Sequence, residues 1–284
     1  MTCDRRTPDQ IHMGPVQIAS LHYYPVKSCA GVDVDCVQLT SAGIAMDRAW
    51  MVVTPSGRFL TQRELPRLAL IRPTIVEGVL MLAVPGLSVL RVPPGLEGSR
   101  VPVAIWKDTC PGIDAGDEAA AWLQQCLERE CRLVRFDPAH RRLSSMEWTG
   151  GLEAENRFSD GYPLLVIGRA SFDDLNARLA RTLPMNRFRP NIVIEGLGPY
   201  DEDRVDELFD DDVRLKIVKP CTRCTITTTE QSTGEVDGVE PLRTLKSYRH
   251  DRTLNGVLFG QNAIIVQGHG AALRRGQQLS VRCK

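Results

Sequence analysis

Short apolar segments, separated by glycine and proline at close intervals, decide the fold class of this 284-residue chain. Between residues 60 and 107 such segments recur at 68–71, 79–84, 87–92 and 101–105. Each is long enough for a strand but short for a helix, and strands spaced in this way are typical of antiparallel barrels and sandwiches. The sequence therefore predicts a mostly β protein with few helices.

Two segments carry helix signals instead. Asp117 is a good N-cap for a helix over 118–130, which has an apolar face. Ser171 and Asp174 have the spacing of a capping box, which predicts a second helix capped by Ser171. Further strands are predicted at 16–24, 32–40, 131–136, 164–167, 192–195, 213–218, 263–266 and 278–281.

The chain is long enough for two domains. Its first residues are polar, which predicts a flexible arm over 1–13. Asp137 and Pro138 form a dipeptide typical of turns and mark the predicted domain junction. We therefore predict domains over 14–136 and 137–284.

Two later segments are predicted to be loops. Residues 141–157 show little periodicity, which indicates a long surface loop. Eight of the twelve residues in 201–212 are acidic, which favours a solvated segment.

Composition excludes several classes of function. Lysine plus arginine equals aspartate plus glutamate at 35 each, so no global positive charge attracts nucleic acid or an anionic membrane. No apolar run is long enough to span a membrane, and the N-terminal sequence lacks the apolar stretch of a signal peptide, so a cytoplasmic location is expected. The nine cysteines are odd in number and scattered, which favours reduced thiols over a disulfide framework.

Cys221 and Cys224 are two soft ligands flanked by the cations Lys219 and Arg223, which favour the thiolate form. The β-branched residues after Cys224 predict a strand there, whereas redox Cys-x-x-Cys pairs begin a helix. Structural zinc is disfavoured because no second Cys-x-x-Cys or histidine pair accompanies the first. A hydrolytic cysteine–histidine dyad has no recognisable signature here.

Two interpretations of the pair stay open on the residues alone. In one, both cysteines are buried packing residues. In the other, a single thiolate binds a soft or high-valent metal whose other ligands come from a cofactor. A phosphate-bearing cofactor would need donors from several segments, and these could be Lys27, Ser28, Arg48, Arg189, Thr222 and Arg223.

Seven motifs together resemble the MOSC-domain molybdoenzymes, in particular the mitochondrial amidoxime reducing component and its bacterial relatives. The resemblance covers nearly the whole chain from about residue 15, with the motifs in the family's order. They are Tyr24-Pro25-Val26-Lys27-Ser28-Cys29, Asp47-Arg48-Ala49-Trp50, Phe158-Ser159-Asp160, Phe188-Arg189-Pro190-Asn191, Cys221-Thr222-Arg223-Cys224, residues 240–249 and Leu258-Phe259-Gly260-Gln261.

The resemblance implies a MOSC N-terminal β-barrel domain, a MOSC β-barrel domain, and a molybdopterin-type molybdenum cofactor at their junction. It also implies reduction of N-hydroxylated compounds (amidoximes, hydroxylamines and N-hydroxylated bases) to the parent amines or amidines. The cofactor carries the redox chemistry in such enzymes, while the protein contributes position and electrostatics. By matching positions, Cys224 is the catalytic residue and the metal ligand. The implied cofactor-binding residues are Lys27, Ser28, Arg48, Ser159, Asp160, Arg189, Asn191, Thr222, Arg223 and Cys224.

Two departures from the family pattern limit these expectations. Asn262 replaces an aromatic residue of the animal enzymes, so the resemblance implies no cofactor contact there. The sequence ends at Lys284 without the iron–sulfur domain of some bacterial relatives. We therefore expect an external electron donor (a flavodoxin, a ferredoxin, or a b-type cytochrome with a reductase) and a basic docking face that includes Lys246 and Arg249.

Two other classes of function remain as alternatives. Related MOSC domains occur in molybdenum-cofactor sulfurases, so the protein could carry the cofactor, or carry sulfur as a persulfide on Cys224. A metal-free binding module is the second alternative. Reductive turnover separates an enzyme from a carrier, and metal analysis separates both from a binding module.

Overall fold

The computed structural model describes residues 13–95 and 98–284. The predicted arm therefore lies outside the described residues, apart from Met13. Strands account for 40% of the chain and helices for 18%, which confirms the mostly β prediction.

The strands and helices are numbered here in chain order. The strands are β1 (Val16–Tyr23), β2 (Val32–Val34), β3 (Cys36–Thr40), β4 (Gly43–Ile44), β5 (Trp50–Val53), β6 (Arg72–Val76), β7 (Val79–Ala83), β8 (Leu90–Val92), β9 (Arg100–Ile105), β10 (Asp108–Asp114), β11 (Arg132–Phe136), β12 (Leu164–Gly168), β13 (Ile192–Glu195), β14 (Val205–Phe209), β15 (Arg214–Arg223), β16 (Thr229–Glu230), β17 (Glu235–Val236), β18 (His250–Asp251), β19 (Gly256–Gln267), β20 (Ala272–Arg274) and β21 (Gln278–Cys283). The α-helices are α1 (Asp117–Leu127), α2 (Met146–Thr149), α3 (Arg169–Arg178) and α4 (Leu242–Tyr248).

Seven strands close into a barrel. They pair in the order β12, β13, β1, β21, β14, β15 and β19, and β19 returns to pair with β12. Its strands share one apolar cluster, in which Ile18 and Leu21 of β1 join Val166 and Leu215. Although β1 belongs to the predicted first domain by sequence, it is hydrogen-bonded within the barrel to β13 and β21. The residues that follow β1 are thereby placed at the edge of the barrel.

A second β unit is built from the strands between residues 50 and 136. Strands β5, β11, β10 and β9 form one antiparallel sheet, and β6, β7 and β8 form another. Helix α1 buries Trp122 and Leu123 in the same apolar cluster as Trp50 and Leu80. The domain boundary at residues 136 and 137 itself stays a prediction.

The predicted start of each principal helix is wrong. Asp117 is the first residue of α1, and Gly116 with φ 89° occupies the N-cap position. Helix α3 begins at Arg169, and the hydroxyl of Ser171 donates to the Glu202 carboxylate at 2.6 Å instead of capping the helix. No helix in the described part of the chain is both long and apolar enough to cross a membrane.

The prediction that 201–212 is a solvated loop is also wrong for most of that span. It contains a short 3-10 helix, Asp201–Arg204, and strand β14. Glu202 is buried, and burial raises the pKa of its carboxyl above the ordinary value. Glu207 is buried as well, and it accepts a hydrogen bond from Arg214 at 2.8 Å. Because these carboxylates have partners inside the fold, the number of acidic residues did not indicate exposure.

The strand through the cysteine pair differs from its prediction at both ends. The predicted strand 213–218 is the first part of β15, which continues to Arg223. The strand predicted directly after Cys224 begins instead as the 3-10 helix Thr225–Thr228. The hydroxyls of Thr227 and Thr228 donate to backbone carbonyls three residues earlier, at 2.9 and 2.7 Å, and such local bonds compete with strand formation.

Three other predicted segments are subdivided. The strand predicted at 32–40 divides into β2 and β3 at Asp35. The loop predicted at 141–157 contains the single turn of α2, and the polar segment 240–249 contains α4.

Candidate functional site

One cleft contains every residue that the sequence predicted for the site. We call it the central cleft. Its lining residues are Lys27, Ser28, Arg48, Thr61, Ser159, Asp160, Gly161, Tyr162, Leu164, Leu165, Phe188, Arg189, Asn191, Cys221, Thr222, Arg223, Cys224, Ile226 and Asn262. All ten predicted positions are among them, drawn from five separate segments of the chain. Their convergence is observed, whereas their contact with a cofactor stays a prediction.

Two cations of the central cleft are neutralised by carboxylates. The ammonium of Lys27 donates to Asp160 at 2.5 Å and to the carbonyl of Phe158 at 2.8 Å. Desolvation disfavours the charged form of Asp160, but the Lys27 charge outweighs it and lowers the pKa of the carboxyl. Arg48 pairs with Asp47 and also donates to the side-chain oxygen of Asn191 at 3.0 Å. These pairs fix the geometry of the cleft but add no net charge.

Arg189 lies deeper and has no carboxylate partner among the described residues. One of its terminal nitrogens donates to the carbonyl of Cys29 at 2.6 Å, while the other, Nη2, is buried without a partner. The guanidinium groups of Arg48 and Arg189 both stack on the ring of Tyr24, at 4.2 and 4.3 Å from its centroid. Burial lowers the pKa of Arg189 to about 10. A buried, unsatisfied donor of this kind requires an explanation, and an anionic ligand supplies one.

Backbone strain is concentrated in the same region. Ser28, Arg48 and Arg189 have φ values of 67°, 46° and 57°, which lie in the left-handed region that residues with a side chain rarely adopt. Such conformations cluster at ligand-binding sites, where the surrounding structure holds them in place. Three of the ten predicted residues therefore have unusual backbone conformations and line the same cleft.

The two cysteines have different neighbours. Arg223 donates to the sulfur of Cys221 at 3.0 Å and to the carbonyl of Phe188 at 2.7 Å, while its buried Nε has no partner. The sulfur of Cys224 instead lies 3.5 Å from a terminal nitrogen of Arg63. No group of three His, Cys, Asp or Glu side chains within residues 13–95 and 98–284 could hold a metal ion. A metal at Cys224 would therefore take most of its ligands from a cofactor.

Sequence reasoning missed three residues that shape the site. Arg63 reaches Cys224 from the N-terminal unit, and the indole nitrogen of Trp106 donates to Asp160 at 3.0 Å. Arg142, within the predicted loop, donates to the carbonyls of Arg157 and Ser159, both at 2.8 Å. None of the three belongs to a local motif, so only their long-range contacts reveal them.

Arg142 provides a test of how the 157–160 segment is held. It is buried and also contacts the side chains of Asp108 and Asn156. We expect Arg142→Met to lower the free energy of unfolding by about 2–4 kcal/mol, because several buried acceptors lose their donor. Urea unfolding of the protein would measure this.

The neighbouring Arg141 is the matched control. It is exposed and forms surface ion pairs with Glu153 and Glu155. Arg141→Met should leave the urea midpoint nearly unchanged, because exposed ion pairs contribute little to stability. Equal losses in the two variants would contradict the positioning role of Arg142.

Two family models match the chain. The MOSC N-terminal beta barrel domain matches residues 15–130, and the MOSC domain matches residues 153–280. The barrel and the cleft beside it are thus those of a two-domain MOSC protein.

Comparison with individual curated proteins shows which MOSC proteins are similar to this chain. Mitochondrial amidoxime-reducing component 1 of Mus musculus is 38% identical over 259 residues, which are 88% of this chain and 76% of the relative. The Homo sapiens protein of the same name is 35% identical over 264 residues, 88% of this chain and 77% of the relative. Mitochondrial amidoxime reducing component 2 of Bos taurus is 36% identical over 241 residues, 82% of this chain and 72% of the relative. The chain belongs to the family of the amidoxime-reducing components, which confirms the resemblance seen in its motifs.

Proposed function

We propose that this protein is a molybdenum-cofactor-dependent reductase of N-hydroxylated compounds, such as amidoximes, hydroxylamines and N-hydroxylated bases. The observation that carries the proposal is the excess of positive charge in the central cleft beside one cysteine. Arg189 and Arg223 both line the cleft and have no carboxylate partner among the described residues. Buried N–H groups of Arg189 and Arg223 are unsatisfied. The names of the relatives give the reaction class.

The residues present fit a phosphate-bearing molybdenum cofactor. Arg189 and Arg223 supply forked donors that match phosphate geometry, and Ser28, Ser159 and Thr222 supply hydroxyls around them. Cys224 supplies the soft thiolate that such a metal prefers. When bound there, the cofactor would supply the two-electron reduction that removes the hydroxyl oxygen as water.

The protein's own contribution is binding and orientation. The Lys27 charge lowers the pKa of the Asp160 carboxyl, and this favours the carboxylate that pairs with it. We therefore assign Asp160 the role of a fixed charge and not of a proton donor. Arg48 donates a hydrogen bond to the side-chain oxygen of Asn191, and this bond orients two residues that line the cleft.

An external electron donor completes the proposal, with a flavodoxin, a ferredoxin or a b-type cytochrome as the candidate classes. Arg249 does not fit the docking role expected from the sequence. Its guanidinium is largely buried, pairs with Asp203 at 2.6 Å and stacks on Tyr200, so it stabilises the fold instead. Lys246 is exposed on α4 and stays a candidate docking residue. The cytoplasmic location also stays a prediction.

Cofactor loading is the direct test. Purified from a host that synthesises molybdopterin, the protein should contain about one molybdenum atom per chain, as expected for a single set of ligands. It should then reduce benzamidoxime or hydroxylaminopurine with reduced methyl viologen as donor. Metal analysis and product chromatography measure the two results.

The negative outcomes separate the alternatives. Molybdenum without turnover of either compound would favour a carrier of the cofactor or of sulfur. Protein without molybdenum, or with zinc in its place, would refute the proposal.

A further inference from the structure

Trp106 is a bulky residue at a position that favours glycine. It is the first residue of the two-residue hairpin turn between β9 and β10, and such a turn requires the positive φ of 55° that is strained for a residue with a large side chain. Its side chain is 51% exposed, so burial of the ring does not offset this strain. Strain of this kind concentrates at functional sites.

Three contacts hold the indole ring in place. The ring of Phe59 packs against it with a centroid separation of 5.2 Å, and the guanidinium of Arg63 stacks on it at 4.6 Å. The indole nitrogen donates to Asp160, which lines the central cleft. A large aromatic surface is therefore fixed beside the cleft while half of it remains open to solvent.

Arg63 connects this ring to the reactive end of the cleft. Apart from the stacking on Trp106, the Arg63 side chain contacts the sulfur of Cys224 at 3.5 Å, and no carboxylate within the described ranges forms an ion pair with it. A guanidinium has five N–H donors, so most of them are free to bind another group. Stacked side chains thus extend without a break from the exposed indole to the thiol.

We propose that Trp106 and Arg63 form a substrate shelf that selects flat aromatic N-hydroxylated compounds over aliphatic ones. The inference rests on the proposed function, because Cys224 marks where the reaction takes place. The indole face takes the aromatic ring of the substrate, since offset and edge-on aromatic pairs are favourable. Arg63 donates hydrogen bonds to the N-hydroxyl group and orients its oxygen toward the cysteine end of the cleft.

An exposed tryptophan can also be a docking contact for a protein partner. The contacts of Trp106 favour the substrate instead. Its ring is tied to Asp160, which lines the central cleft, and to Arg63, which contacts the cleft residue Cys224, whereas a docking residue needs no link to the cleft. Docking of a protein electron donor on Trp106 is therefore the alternative that the experiment tests.

The experiment compares benzamidoxime with acetamidoxime, which share the reacting group and differ in the ring. The oxidised holoenzyme and its Trp106→Ala and Trp106→Phe variants are titrated with each compound by calorimetry, and turnover is measured with reduced methyl viologen. We expect Trp106→Ala to weaken benzamidoxime binding and raise its KM roughly tenfold, with kcat little changed. Acetamidoxime binding should change by less than about twofold, and Trp106→Phe should stay near wild type because it keeps an aromatic face.

Each other result overturns the shelf. Equal effects on the two compounds would show a general structural role. An effect that appears only with a protein donor, and not with methyl viologen, would make Trp106 a docking contact. If the wild type reduces neither compound, the proposed function fails, and calorimetry still decides the shelf: a selective loss of benzamidoxime affinity supports it, and unchanged affinity refutes it.

Discussion

Cys224→Ser is expected to abolish reductase activity, with a loss of more than about 100-fold, which exceeds the usual effect of losing a partner outside the ligand sphere. A serine hydroxyl is a hard ligand with a high pKa, so it does not replace the soft anionic sulfur. The cationic lining of the central cleft stays intact, so part of the cofactor should remain bound. Activity per bound molybdenum is the quantity to measure, because it separates loss of chemistry from loss of cofactor.

Cys221→Ser is the matched control, and the structure explains why it should be mild. The sulfur of Cys221 accepts a hydrogen bond from Arg223, and a serine oxygen can accept the same bond. Cys221 also packs at the edge of an apolar cluster with Phe188 and Phe259, where losing a sulfur costs little. We expect activity within about threefold of wild type, consistent with a cost well under 1 kcal/mol.

The comparison also tests other readings of the cysteine pair. A dithiol redox pair or a shared zinc site would make the two serine variants equally inactive. If Cys221→Ser proved to be the inactive one, the assignment of Cys224 as the metal ligand would be wrong.

The sequence predicted ten of the residues that line the central cleft, because each of the ten lies in a short local motif of the family. Lys27 with Ser28, and Thr222 through Cys224, are neighbours in the chain, so a motif match transfers them together. Arg63 was invisible to that approach, because its contact with Cys224 spans 161 positions along the chain. Trp106 was missed for a similar reason, since a lone tryptophan in a turn has no periodic or motif signal.

Errors in the predicted elements arose where tertiary contacts overrode local chemistry. Ser171 and Asp174 have capping-box spacing, yet the Ser171 hydroxyl bonds to Glu202, 31 residues away. The acidic span was read as solvated because charge counts contain no information about partners. Glu202 and Glu207 find donors on Gly168, Ser171 and Arg214, and this pairing is fixed only by the closed barrel.

Arg189→Met is expected to weaken cofactor binding without destabilising the cofactor-free protein. The variant therefore separates the role of Arg189 in ligand binding from any role in stabilising the fold. Burial lowers the pKa of Arg189 to about 10, so the fold disfavours its charged form. For a base with a lowered folded-state pKa, this cost is complete below the folded pKa and is relieved only as pH rises toward the unfolded value. At neutral pH the cofactor-free protein therefore bears the whole cost of burying this charge.

Methionine fills a similar volume without the charge, and replacing buried charges by apolar residues is often neutral or stabilising. The Cys29 carbonyl and the Tyr24 ring each lose a contact, which offsets part of that gain. We expect the unfolding free energy of the cofactor-free variant to lie within about 1 kcal/mol of wild type, or above it.

Cofactor retention should move in the opposite direction. Arg189 presents an unsatisfied buried donor and an uncompensated charge to the cleft, and a charge-assisted bond to phosphate is among the strongest hydrogen bonds available. We expect the affinity for the cofactor to fall at least tenfold, which is about 1.4 kcal/mol of binding, and the molybdenum and pterin content to fall with it. Metal analysis and pterin fluorescence measure the cofactor content. Urea unfolding of cofactor-free protein from the same preparation measures the change in stability.

The control is Arg178→Met, which removes an exposed arginine from α3 that pairs with Asp174 and stacks on Tyr248, away from the central cleft. It should leave cofactor content unchanged and alter the urea midpoint little, because exposed ion pairs contribute little to stability. Should Arg189→Met instead lose several kcal/mol of stability while its remaining folded fraction keeps a full complement of molybdenum, Arg189 would be a structural residue. Another residue would then have to bind the phosphate, because a charge whose interactions within the cofactor-free protein already stabilise the fold is not available to a ligand.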